Sequence, residues 1–425
     1  MSNSFENIYD YVSTLEIIDT HEHLPHREAQ RPLETDILRE YLTHYFSCDL
    51  VSAGLSVKEL ERCRDISLPI MERWDVLEPY WNAARNTGYG MSLDITVQEL
   101  YGQIKICRNT IEELNARFMK TLSPGHFEKV LKETAKIKTS LVDGCKGRSE
   151  CDARFFTPVF RLDMHRGYAK RGAFRILAEE SGIKINCFND WLAATEKEMD
   201  RAIEDGCAAL KIGDAYNRSL LYPHVSKKDA ENEFNRVVSS NGDDIIDFGE
   251  IFQNFMLHYV LTLANKRNLT VQIHTGLQEG NGNMIANADP TLLNNLFLEY
   301  SDVVFDIFHM GYPYEHMMSA LAKNFANVNI DMCWANIISP TACINALVEW
   351  VDSVPINKIS AFGGDYCFID GVVGHSRIAR RNISKALSIK VDTGCFDVDR
   401  AKEIARMLFI DNPERIFKLK GNIQQ

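Results

Sequence analysis

Eight short runs rich in β-branched residues recur along this 425-residue chain, with helix-patterned segments between them. They are LEIID, IKTSLVDG, RFFTPVFRL, CAALKIG, LTVQIHTG, DVVFDIFHMG, NVNIDMCW and KISAFGGDY. Strands that alternate with amphipathic helices pair in parallel, and eight of them can close on themselves, so the pattern predicts an α/β fold of the (β/α)₈ TIM-barrel type. One interval is far too long for a βα loop, which takes a handful of residues. Between the first two strands, DILREYLTHYF, VKELERCRDI, PIMERWDVLEPYWNAARN and TVQELYGQIKICRNTIEELNARFMKTL carry apolar residues at three- and four-residue spacing. This block, about residues 25–125, reads as a helical insertion within a single domain spanning 1–425, with Trp74, Tyr80, Trp81 and Tyr89 mostly in its core. A helix is expected over 124–136, ahead of the second strand, and SKKDAENEFNRVVSSNGD reads as a polar segment.

In barrels of this kind the groups that do chemistry gather at the C-terminal rim, contributed by several strands. The first run ends in DTHEHL. Residues i and i+2 of a strand share a face, so His21 and His23 project together. Alone, such a pair is either half a metal site or a strand cap beside a solvated neighbour. Polar residues also close later runs: Lys211, His274, His309 and Asp365. Neutral imidazoles with a carboxylate suit Zn²⁺, with Mn²⁺, Fe²⁺ or Ni²⁺ as alternatives, and His21, His23, His274 and Asp365 are the expected ligands. A bound cation lowers the pKa of water toward neutrality, and Asp365 would take that proton and pass it to a leaving group. Each residue has a plainer reading. Asp365 after two glycines can be a turn residue, His309 a core histidine on a carbonyl, and Lys211 a lysine snorkelling to solvent.

With DTHEHL, IHTG, FHMG, FGGDY and the terminal DNPERIFKL in this order, the chain resembles the amidohydrolase superfamily of metal-dependent barrels, in its type 2 branch. The resemblance runs from about Thr14 to Leu419 outside the helical block, whose position is similar to that of an insertion in uronate isomerases. It implies a metal-dependent hydrolase acting through a metal-activated water on a C–N or C–O bond (amide, ester or lactone) of a small acidic molecule. The alternative is a lyase or isomerase on the same fold, such as a decarboxylase or a uronate isomerase. It further implies that His309 contacts substrate, as a catalytic partner of Asp365. Lys211 is either a carboxylated bridge between two metals or an ammonium that pairs with a substrate carboxylate. One or two cations per chain are expected, and by analogy a homo-oligomer.

Other strand-end residues are open to two readings. Arg161 either holds an anionic substrate group by a bidentate contact or pairs with Asp163. Asp331 and Trp334 after the seventh strand are candidate pocket residues. The loop TGLQEGNGNM is a substrate loop or a tight turn, and His26, Arg27 and His44 belong to a segment that either folds over the site or is solvated.

A net charge of −12 and a pI near 5.5 argue against a nucleic-acid partner, which needs a basic surface to displace counterions. The eleven cysteines stand singly, without a CxxC pair, as expected of reduced thiols in a cytoplasmic protein. The N-terminus lacks a secretory pattern, and no run has the apolar length of a membrane span.

Overall fold

The computed structural model describes residues 3–103, 105–168, 170–240 and 245–419. Eight parallel strands lie side by side in chain order: β1 (Ile17–Glu22), β2 (Ile137–Asp143), β3 (Phe156–Arg161), β4 (Ala209–Ile212), β5 (Thr270–Ile273), β6 (Phe305–Ile307), β7 (Val328–Asp331) and β8 (Ile359–Ser360). Backbone hydrogen bonds then join the last strand to the first. The Thr20 amide donates to Phe362 O (3.1 Å), the Asp365 amide to His21 O (2.8 Å) and the His23 amide to Tyr366 O (3.0 Å). The result is a (β/α)₈ barrel whose strands are buried almost throughout, which is why they read as apolar runs rather than as alternating ones.

Among the described residues between β1 and β2 stand six α-helices: Ile37–Tyr41, Phe46–Ser52, Val57–Arg64, Ile70–Ala84, Gly88–Tyr101 and Ile111–Met119. The pattern over residues 96–122 suggests one long helix, but Gly102 adopts φ +66° and ends the first of two in a left-handed cap. Inside the insertion, Trp81 meets Phe46 edge-on at 4.6 Å between centroids and Trp74 at 5.3 Å.

Two features fasten the insertion to the barrel. Asp370, fully buried ahead of the helix Gly371–Asp392, accepts from the hydroxyls of Tyr41 (3.0 Å) and Tyr101 (2.5 Å) and pairs with His126 Nε2 at 2.6 Å. Four residues on, Gly374 lets two helices touch backbone to backbone, because a Cβ there would lie 1.9 Å from Ser92 O.

Residues 227–240, read above as a polar segment, form a helix, Lys227–Ser240. Its buried residues Ala230, Phe234 and Val237 recur at four- and three-residue spacing and pack with Phe188, Trp191 and Phe252. The charged residues between them hide that stripe in a linear reading. The helix expected over 124–136 is a shorter π-type turn, Glu128–Thr134, and a small antiparallel ladder pairs Lys170–Arg171 with Ile245–Ile246. No helix among the described residues is long and apolar enough to cross a membrane.

Candidate metal centre at the barrel mouth

The rim is built on strained backbone. His309, Trp334 and Asp365, which follow β6, β7 and β8, have φ values of +64°, +60° and +58°. Each such non-glycine residue costs on the order of 1–3 kcal/mol and persists only when its surroundings over-determine it. Here the Trp334 amide is tied to Gly363 O at 2.8 Å and the Asp365 amide to His21 O. Gly364 sits where a Cβ would fall 1.8 Å from Glu22 Oε1, so a side chain there would displace the buried Glu22 carboxylate, which accepts from the Tyr366 amide at 2.7 Å.

These turns bring the strand-end side chains together. Asp365 Oδ1 lies 3.4 Å from His21 Nε2 and 3.2 Å from His23 Nε2, and Oδ2 lies 3.8 Å from His309 Nε2. His309 Nε2 in turn stands 2.9 Å from His274 Nδ1. The other nitrogen of each of these two rings faces a carbonyl that can only accept: His309 Nδ1 meets Cys333 O (3.2 Å), and His274 Nε2 meets Leu277 O (2.9 Å). In the neutral rings both protons are therefore committed outward, and two lone pairs confront each other. Such a contact is repulsive unless a cation lies within reach of both. Lys211 Nζ completes the ring of groups, 3.5 Å from His21 Nε2 and 3.8 Å from the centroid of Phe308.

Electrostatics agree with a cation site. Burial pushes the imidazoles of His21 and His274 well below the usual range, and that of His309 down to about 3, so all three present lone pairs at neutral pH. Burial opposes ionisation of Asp365, but the neighbouring imidazoles of His21, His23 and His309 outweigh it and hold the carboxyl well below its ordinary value. Lys211 is lowered to about 8, chiefly by burial. Imidazoles plus a carboxylate form a donor set that fits a divalent transition ion.

A cavity of about 330 Å³ opens above these groups. His23 forms part of its floor with a side chain 35 % exposed, against 1 % for His21. Arg161 lines the cavity, but its partner differs from the one weighed above: Nε lies 3.1 Å from Asp143 Oδ2 and 3.8 Å from Asp163 Oδ2, while Asp163 takes a 2.6 Å contact from Arg166. Asp331 is fully buried, accepting from the Cys333 amide at 2.7 Å, and Trp334 stacks behind the Tyr45 ring at 4.5 Å; neither is among the lining residues. His26 and Arg27 lie elsewhere, with His26 on Asp143 O and Arg27 on Ser149 O. A larger hollow of about 690 Å³ bounded by Arg27, Leu122 and Arg154 holds none of the rim side chains, so size does not mark the site.

Three contributors, Asp143, Tyr45 and Glu279, escape the pattern-based reading, whereas His44 takes the first of the two places weighed for it, over the site. Asp143 ends β2 and lies 3.7 Å from His23 Nδ1, and the acid closing SLVDG was the signal for it. His44 and Tyr45 reach the cavity from the insertion, with the Tyr45 hydroxyl donating to Asp365 O at 2.5 Å, which no local motif announces. Glu279 enters from the TGLQEGNGNM loop. In addition, the Cys333 thiol belongs with His309 and Asp365 to a group whose ligand atoms all lie within 4.8 Å of one another.

Comparison with known proteins adds three findings. Residues 187–419 match the family model described as amidohydrolase. Protein fluG of Emericella nidulans is 26% identical over 153 residues, a match that covers 36% of this chain and 18% of that protein, so the chain spans under a fifth of its curated relative. Among solved structures, the fold is similar to uronate isomerase from Thermotoga maritima (TM-score 0.80, 17% identity, 98% of each chain). It is also similar to glucuronate isomerase from Caulobacter crescentus (TM-score 0.78, 18% identity, 98% of this chain and 94% of that one).

Proposed function

Because this chain belongs to the amidohydrolase family, which is metal-dependent, we propose that it is a hydrolase cleaving a C–N or C–O bond of a small acidic molecule. The observation that carries the reading is the convergence of His21, His23, Lys211, His274, His309 and Asp365 from five strand ends, with the facing lone pairs of His274 and His309 at its centre. In this reading His21, His23, His274 and Asp365 would hold the ion, and Lys211 would either be carboxylated and serve as a ligand shared with a second ion or remain an ammonium. When bound, the cation supplies Lewis acidity and a water of lowered pKa.

The protein's own groups do the rest. Asp365, ionised and next to the imidazoles, accepts the proton of the attacking water and returns it to the leaving atom. His309, held neutral, contacts the scissile group. Arg161, whose Nε stands 3.1 Å from the Asp143 carboxylate, receives an acidic group of the substrate through its terminal amino groups. Barrel and insertion act as one domain, since Tyr45 and His44 complete the cavity wall.

The test is turnover in H₂¹⁸O by the metal-loaded protein. Hydrolysis puts ¹⁸O into the product. The second reading, a sugar-acid isomerase, draws on one observation: the likeness to the two isomerases runs over 98% of the chain, insertion included. That reading predicts no solvent oxygen in the product and transfer of hydrogen between neighbouring carbons.

A further inference from the structure

We propose that the substrate of this site carries an ammonium as well as an acidic group, and that Glu279 recognises it; the inference deepens the hydrolase reading and rests on it. Glu279 and Arg161 both line the 330 Å³ cavity. Arg161 reaches over Gly213, where its Nη2 lies 2.6 Å from the position a Cβ would take, so the glycine makes room for the guanidinium at the cavity wall. Its Nε lies 3.1 Å from Asp143 Oδ2, which leaves the terminal amino groups to receive the anionic end of a ligand.

Glu279 has no such counterpart. Its carboxylate accepts only a weak bond from Cys48 Sγ at 3.6 Å, and among the described residues no lysine or arginine lies within 4.0 Å of it. Arg64, whose charge is felt there, is committed to Glu61 and to Leu42 O. Yet the backbone that carries Glu279 is held firmly. Its amide donates to Tyr216 OH (3.1 Å), its carbonyl accepts from Asn283 Nδ2 (2.9 Å), and Asn281 Nδ2 binds Cys48 O of the insertion (3.1 Å). A partly buried carboxylate, positioned at the mouth and lacking a protein cation, is a recognition group for a ligand cation. Asp163 and Asp214, the other acids at this wall apart from Asp365, share Arg166, and Asp214 also accepts from the Tyr222 hydroxyl at 2.7 Å, whereas among the described residues Glu279 has no arginine or lysine beside it. The cavity wall thus carries both the Arg161 guanidinium and, among the described residues, a Glu279 carboxylate with no lysine or arginine beside it, a complement to amino acids and small peptides with a free amino group.

The probes are small dipeptides and amino-acid amides, each paired with its N-acetylated and its deaminated counterpart, titrated calorimetrically into the metal-loaded protein. We expect the free-amino forms to bind at least about tenfold more tightly than their counterparts. In Glu279→Gln, whose unfolding midpoint is expected to match the wild type and is measured alongside, that ratio should fall to about one. Equal binding of all three forms, preference for the acetylated or deaminated form, absence of binding by any free-amino probe, or a preference that survives in Glu279→Gln each overturns the proposal. Metal content and ¹⁸O incorporation, measured on the same preparation, report on the hydrolase reading separately. A protein that selects free amines through Glu279 yet incorporates no ¹⁸O would retain this recognition and lose that chemistry.

Discussion

His274 Nδ1 and His309 Nε2 face each other at 2.9 Å while the remaining nitrogen of each ring is engaged with a backbone carbonyl. Neither ring can turn to relieve the contact without leaving a carbonyl unpaired, so a cation held by His274 would relieve the pair. We therefore expect His309→Ala to lower metal affinity by about 10- to 100-fold, the range found when groups that orient a metal site are lost. Competition with a chelator checks this, and an unchanged affinity would remove His309 from the ion's surroundings.

Asp365 is the residue whose charge should matter most and whose shape should matter least. Asparagine tolerates the left-handed backbone found at this position, so Asp365→Asn should fold normally. Turnover should fall at least about 100-fold through loss of the proton acceptor. Circular dichroism alongside kcat separates the two effects.

At Gly374 two opposing magnitudes decide the sign. Alanine in a helix interior is ordinarily favoured by about 1 kcal/mol over glycine. Here the added methyl would meet Ser92 O at 1.9 Å and Thr96 Oγ1 at 2.6 Å, and overpacking of this kind costs about 1–3 kcal/mol. Gly374→Ala should therefore lower stability in urea unfolding; a stabilised variant would mean that the two helices separate easily.

Asp370 makes stability depend on acid. Burial alone would raise its carboxyl, but His126 and then Arg31 and Tyr101 outweigh this and hold it near 2, below the ordinary 3.8. A carboxyl lowered in the folded state contributes stability above its unfolded pKa and loses it as pH falls through the folded one. Asp370→Asn should thus be destabilised by about 2 kcal/mol at neutral pH, and the gap to the wild type should close between pH 4 and 2. Parallel unfolding curves over that range are the measurement.

The barrel was legible because its strands are buried on both faces and so stand out as β-branched runs, and because same-face spacing carries His21 and His23 to one point. His274, His309 and Asp365 were legible for the same reason, each being the first polar residue after such a run. What escaped depends on contacts between distant segments. Nothing local marks Tyr45 as the donor to Asp365 O, since the two are 320 positions apart. The helix Lys227–Ser240 was obscured because only Ala230, Phe234 and Val237 form its apolar stripe, amid charges that suggest solvent. The preference of Arg161 for Asp143 over its near neighbour Asp163 likewise depends on β2 lying beside β3.

The bond from the Tyr45 hydroxyl to the carbonyl of Asp365 has a thermodynamic corollary. An ion that tightens Asp365 also favours the docked form of the helices before and after Tyr45, and by reciprocity loosening those helices must weaken the ion's hold. Amide hydrogen exchange across residues 37–101 should accordingly slow when the protein is saturated with metal, although none of those amides lies at the strand ends that would grip it.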